Sequence, residues 1–117
     1  MSRLILVVED DMAIRESLRD LFVDEGYRVA EAANGREALQ RLEEAIPDLI
    51  VLDLWMPVMT GGELMQRLKA EPRFAGVPVL VLTAATEEVT DATVVKKPIG
   101  LVDLLAKVAE RINEGGG

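Results

Sequence analysis

The chain has 117 residues, 50% of them hydrophobic, which suits a single domain with a substantial buried core. It contains no cysteine and no histidine, so disulfides, thiolate or imidazole metal sites, and catalytic pairs that use histidine are excluded. Its net charge of −8 argues against nucleic acid and against a polybasic membrane anchor, and no apolar run is long enough to span a bilayer. The first residues lack the layout of a signal peptide, so we expect a cytoplasmic protein.

Short apolar runs alternate with segments of helical period, and this alternation is typical of a parallel sheet covered by helices. In chain order, the predicted elements are a strand at 4–8, a helix at 11–25, a strand at 28–32, a helix at 34–45, a strand at 49–52, a helix at 60–72, a strand at 79–82, a strand at 94–95 and a helix at 101–112. The segment 84–92 is short and contains poor helix formers such as Thr86, Val89 and Thr90. We therefore expect a loop or one loose turn there.

Local signals predict where the helices begin and end. Three helix starts carry capping residues: Asp11 for the first helix, Asn34 with Glu37 for the second, and Thr60 with Glu63 for the third. Gly26 is expected to end the first helix, and Pro47 prevents the second from continuing. We see no internal repeat, and we predict one domain over 1–114 with a flexible glycine tail at 115–117.

Polar residues stand at the ends of four predicted strands. They are Glu9, Asp10 and Asp11 after the first strand, Asp53 at the end of the third, Thr83 at the end of the fourth and Lys97 at the end of the fifth. In an open parallel sheet, ligands bind outside the carboxyl ends of the strands, so these side chains are expected around one crevice. Close carboxylates recruit a cation, and an all-oxygen site suits Mg²⁺.

Such a site could carry phosphoryl chemistry. A carboxylate beside the ion can attack phosphorus as a nucleophile, while a hydroxyl and an ammonium stabilise the phosphoryl oxygens. Each residue alone also has an ordinary structural explanation: Asp11 as a helix cap, Thr83 as a structural hydroxyl, and Lys96 with Lys97 as a solvated pair. The coincidence of such residues at four strand ends favours a functional site over separate structural roles.

Four motifs carry a resemblance to a known family. They are V-V-E-D-D at 7–11, D-L-W-M-P-V-M-T-G at 53–61, V-L-T-A at 81–84 and K-K-P-I at 96–99. Together they resemble the receiver domain of two-component response regulators, over nearly the whole chain. The resemblance implies an α/β fold of the flavodoxin-like type, a doubly wound five-stranded parallel sheet in the order 2-1-3-4-5.

The resemblance also implies a role for each matching residue. Asp53 is the phosphoacceptor, Thr83 the switch hydroxyl and Lys97 the phosphoryl-binding lysine, placed before a cis Pro98. Asp10, Asp53 and the backbone carbonyl of Trp55 are the Mg²⁺ ligands, and Glu9 supports the metal through water. The donor would be a phosphohistidine on a sensor histidine kinase or a histidine phosphotransfer protein, and the output a contact with a downstream protein target.

Three positions depart from the family pattern. Val94 stands where an aromatic or histidine switch residue is usual, and Trp55 is bulky for its place two residues after the phosphoacceptor. The stretch between Thr83 and Lys97 is short by roughly two helical turns, which predicts a shortened or missing fourth helix. Val94 and the short stretch leave the chemistry intact and put the usual output surface in doubt.

Other functions were weighed against this interpretation. One is a phosphorylation-independent interaction module that keeps the acidic site as a relic, which the altered switch region favours. A phosphatase of the haloacid dehalogenase type needs a second acid where Trp55 stands, and a dinucleotide enzyme needs a glycine-rich motif that the first strand lacks. We therefore expect a signalling domain and not a conventional enzyme, with neither nucleic acid nor membrane as a partner.

Overall fold

The computed structural model describes residues 3–53, 61–83, 93–96 and 101–115, with side chains over 3–52, 63–81 and 105–112. In chain order its elements are β1 (Leu4–Val8), α1 (Met12–Asp24), β2 (Arg28–Ala32), α2 (Gly35–Glu44), β3 (Leu49–Asp53), α3 (Gly61–Ala70), β4 (Val79–Thr83), β5 (Thr93–Lys96) and α4 (Leu101–Gly115). The predicted alternation of strands and helices is confirmed over these residues.

The five strands form one parallel sheet in the order β2-β1-β3-β4-β5, which confirms the predicted fold class. The order changes direction at β1, because β2 lies on one side of it and all later strands lie on the other. Val8 at the end of β1 pairs with Leu52, and Asp53 at the end of β3 pairs with Leu82 on β4. The carboxyl ends of the central strands therefore lie along the same edge.

Both faces of the sheet are buried, which explains why the strands are continuous apolar runs. Alternate residues of β1 supply the two cores: Leu6 and Val8 pack on the face of α2 and α3, and Ile5 and Val7 on the face of α1 and α4. Phe22 of α1 is fully buried in the second core, where its ring meets Tyr27 edge to face. The central strands are thus fixed from both sides, and their carboxyl ends form a stable platform.

The predicted capping residues are confirmed for the first two helices. Asp11 caps α1, since its Oδ1 accepts from the Ile14 amide at 3.0 Å. Asn34 caps α2 through the Glu37 amide at 2.9 Å, while Glu37 reaches back to the Ala33 amide at 3.0 Å. Thr60, the predicted cap of α3, lies outside the described residues.

The end of α1 depends on Gly26, as predicted. Gly26 has a backbone φ of 95°, a conformation that residues with a Cβ rarely adopt. Its amide donates to the Val23 carbonyl at 3.0 Å, and the Tyr27 amide donates to the Phe22 carbonyl at 3.0 Å. This pair of bonds closes the helix and turns the chain into β2.

Some predictions fall on positions that the structure does not describe. The segment 84–92 lies outside the described residues, so the expected shortening or absence of a helix between β4 and β5 stays a prediction. α4 continues through Gly115, one residue into the predicted tail, while Gly116 and Gly117 are not described, so the domain boundary stays a prediction. Across the described ranges, no helix is long and apolar enough to cross a bilayer.

Candidate functional site

The candidate site lies at the carboxyl edge of the sheet, where β1 and β3 run side by side. Val8 and Leu52 are paired, so Glu9 and Asp53 each come one residue after that pair, Glu9 just past the end of β1 and Asp53 as the last residue of β3. This register puts the two backbones at the same level, and neighbouring strands lie about 4.8 Å apart. This is also the point where the strand order reverses, the usual place for a ligand in such sheets.

Glu9 begins the turn after β1 and is almost completely buried, with 3% of its surface exposed. Its amide donates to the Ala32 carbonyl at 3.0 Å, and its Oε1 accepts from the Asp11 amide at 3.3 Å. A buried carboxylate is costly without such partners. Glu9 is therefore buried and hydrogen-bonded within the turn and is not a solvated residue at the end of a strand.

The two aspartates that follow Glu9 have different surroundings. Asp11 caps α1, so its carboxylate is committed to the helix, in agreement with the structural interpretation of this residue. Asp10 is exposed, and no described side chain forms a hydrogen bond or an ion pair with its carboxylate. Of the three acids in the turn, Asp10 is the one whose oxygens stay available to a ligand.

Arg15 is a residue of this region that the sequence analysis missed. Its Nη1 donates to the Glu9 carbonyl at 2.8 Å, and its Nε lies 3.5 Å from Oε1 of Glu31 on β2. Arg19, one turn later, also pairs with Glu31, at 3.4 Å, and hydrogen-bonds Asp20, which raises the pKa of Arg19. The only signal in the sequence was an arginine near a helix start, and this is too common to single out.

The other predicted site residues are described in part or not at all. Asp53 and Thr83 are the last residues of β3 and β4, and Lys96 is paired with Thr83 across β4 and β5. Trp55 and Lys97 lie outside the described residues, as do the side chains of Asp53 and Thr83. Among the described side chains, no three acidic residues form a group that could hold a metal. The predicted metal site requires Asp53, so its assembly stays a prediction.

Comparison with known proteins decides the family. A family model for the response regulator receiver domain matches residues 5–113. The chain belongs to this family. Response regulator MprA of Mycolicibacterium vanbaalenii is 42% identical over 112 residues, which cover 89% of this chain and 48% of the relative. The resemblance deduced from the motifs is confirmed, and with it a function in two-component phosphorelay signalling.

Solved structures agree with the receiver fold. The signal receiver domain of a signal transduction histidine kinase from Syntrophus aciditrophicus has a TM-score of 0.90 and 31% identity, covering 97% of this chain and 92% of that one. A receiver domain of a Pseudomonas aeruginosa sensor histidine kinase has a TM-score of 0.87 at 24% identity, covering 97% and 99% of the two chains. That structure holds a magnesium ion coordinated in its active site cleft, and at this identity the likeness shows the fold alone.

The receiver is a part of longer proteins in many relatives. This chain spans 64%, 30% and 48% of the length of three curated relatives that it matches. One of these relatives, from Bacillus licheniformis, is a protein-glutamate methylesterase. The activity of a whole relative therefore does not transfer to the receiver.

Proposed function

We propose that this receiver accepts a phosphoryl group on Asp53 from a phosphohistidine donor. The observation that carries the proposal is the pairing of β1 and β3, which brings Glu9, Asp10 and the backbone of Asp53 to one edge at the reversal of strand order. A carboxylate oxygen of Asp53 attacks phosphorus, the bond between phosphorus and the donor's imidazole nitrogen breaks, and the nitrogen keeps the electron pair.

The oxygen donors at this edge fit Mg²⁺. Asp10 is exposed and uncommitted, Glu9 is held in the same turn, and Asp53 follows at the same level on β3. We propose Asp10, Asp53 and the backbone carbonyl of Trp55 as ligands, with Glu9 acting through water. A bound Mg²⁺ would supply charge neutralisation for the phosphoryl oxygens.

Thr83 and Lys97 complete the proposed site. The Thr83 hydroxyl is proposed to donate to a phosphoryl oxygen, and the Lys97 ammonium to neutralise another. The chain supplies position and charge, which is most of what phosphoryl transfer needs. We do not propose a conventional enzyme, because the receiver would assist only its own phosphorylation and dephosphorylation.

The partners follow from the same chemistry. The donor is a sensor histidine kinase or a histidine phosphotransfer protein, because this chain has no histidine of its own. The output is a contact with a downstream protein target, and the net charge of −8 disfavours direct binding to nucleic acid or an anionic membrane. Membership of the receiver family is what supports a proposed cytoplasmic location.

Incubation with acetyl phosphate tests this function. With Mg²⁺ present, intact mass spectrometry should show one added phosphoryl group per chain, and EDTA should prevent it because the carboxylates would repel the incoming phosphate. Restoring excess Mg²⁺ should restore the adduct. A protein that takes up no phosphoryl group under any of these conditions would be the phosphorylation-independent module instead.

The start of α1 is proposed to receive the donor. Ile14 is 44% exposed, so its side chain is open to a partner and is not packed in the core. It lines a surface depression of about 260 Å³ with Ala13, Ser17, Leu18 and Leu21. Pro98 and Ile99, which we propose as further contacts with the donor, lie outside the described residues.

Ile14→Glu should slow transfer from a phosphohistidine donor by about tenfold, the effect of losing one apolar anchor of an interface. Labelling by acetyl phosphate should not change, because the small donor needs no docking surface. Val23→Glu is the matched control, since Val23 is 51% exposed near the other end of the same helix. Equal rates of transfer to the two variants would show that Ile14 does not contact the donor.

A further inference from the structure

We propose that Arg15 is a positioning residue for the acidic turn after β1, an inference that rests on the proposed function of that turn. The guanidinium joins three elements, since Arg15 lies near the start of α1, bonds the Glu9 carbonyl at the end of β1 and pairs with Glu31 on β2. It does not need to touch the metal or the phosphoryl group. It acts by fixing the backbone from which the metal ligand Asp10 projects.

The peptide bond supplies the mechanical link. The carbonyl of Glu9 and the amide nitrogen of Asp10 belong to one planar group, so a bond that holds the oxygen also holds the plane. The Asp10 carboxylate has no hydrogen bond or ion pair with a described side chain. The direction of this carboxylate is therefore set largely by the backbone that Arg15 holds.

The surroundings make this bond a strong restraint. The Arg15 side chain is 16% exposed and its partner Glu31 is 29% exposed, so water competes little for the guanidinium. A hydrogen bond from a charged donor at 2.8 Å is short and stronger than a neutral one. Asp11 closes the other side of the turn by capping α1, and Glu9 is anchored to β2 through the Ala32 carbonyl. Arg15 restrains the peptide group between Glu9 and Asp10.

If Arg15 acted only through its charge, its loss would change Mg²⁺ affinity in one direction; if it acts by positioning Asp10, its loss would change the affinity in the other. A cation near a divalent metal site repels the ion, so removing only its charge would strengthen Mg²⁺ binding. Removing a support of the ligand would weaken binding, as loss of the groups that orient metal ligands commonly does. The sign of the change therefore separates the two roles.

The test compares Arg15→Met with Arg19→Met. Both variants remove an arginine that pairs with Glu31, and only the first loses the bond to the Glu9 carbonyl. Calorimetric titration with Mg²⁺ should show binding to Arg15→Met weakened about tenfold, and binding to Arg19→Met within about twofold of the unaltered protein. Mg²⁺ affinity that is equal in the two variants, or stronger in Arg15→Met, would overturn the proposal.

Circular dichroism and thermal denaturation accompany the titration. If Arg15→Met does not fold, the comparison moves to Arg15→Lys and Arg19→Lys, because an ammonium lacks the fork that reaches Glu9 and Glu31 together. A severalfold weaker affinity for Mg²⁺ is then expected in Arg15→Lys alone, and equal affinities would again overturn the inference. An unaltered protein that binds no Mg²⁺ would instead refute the proposed metal site itself.

Discussion

Asp53→Asn is expected to give no phosphoryl adduct after incubation with acetyl phosphate and Mg²⁺. The amide has no negative oxygen with which to attack phosphorus, so the acceptor is lost even where the rest of the site is intact. Asp53 is the last residue of β3, next to the turn that holds Glu9 and Asp10. Intact mass spectrometry over time, with the unaltered protein in parallel, measures the loss directly.

Asp11→Asn is the matched control for this experiment. Asp11 is an exposed aspartate in the neighbouring turn, and its Oδ1 caps α1. Asparagine caps a helix about as well as aspartate, so the fold and the labelling rate should both be kept. An undiminished adduct on Asp53→Asn would move the acceptor to another residue and refute the assignment of Asp53.

Lys97→Ala is expected to slow labelling by about a hundredfold, the usual cost of losing one preorganised group that stabilises a developing charge. Lys96→Ala is expected to leave the rate within about twofold. The reason is that adjacent residues of a strand point to opposite sides, so only one of the two lysines can face the site. Measured rates of acetyl phosphate labelling distinguish them.

The register of β4 and β5 bears on the comparison of the two lysines. Lys96 is the register partner of Thr83 across β4 and β5, while Lys97 lies one position beyond the described strand. The prediction for Lys97 therefore depends on its place before Pro98 in the family motif. Equal effects of the two substitutions, or a larger effect of Lys96→Ala, would mean that the register expected from the motif is wrong.

Local patterns predicted most of the fold correctly. The strand at 4–8 and the helix end at Gly26 are each determined by a few consecutive residues, and the structure has them where they were expected. The capping role of Asp11 is equally local, because an N-cap bonds an amide three residues later in the chain. The sheet order came from the family resemblance and not from these patterns.

Contacts between distant residues could not be predicted in this way. The bond from Arg15 to the Glu9 carbonyl requires α1 to lie against the end of β1, and the ion pair with Glu31 requires β2 beside it. The exposure of Ile14 could not be predicted from the sequence for the same reason. Its helical spacing suited a core position equally well, and only the packing of α1 on the sheet leaves it at the surface.

The sequence by itself determined the class of fold and supplied the residues that we propose for the site. Periodicity, capping residues and four motifs are written in consecutive residues, so elementary stereochemistry and family resemblance are enough to interpret them. Only the tertiary structure decided that Glu9 is buried in the turn and that Asp10 stays available to a ligand. The physical reason is that burial and hydrogen-bond partners depend on elements far apart in the chain, which the packing of β1, β2 and α1 brings together.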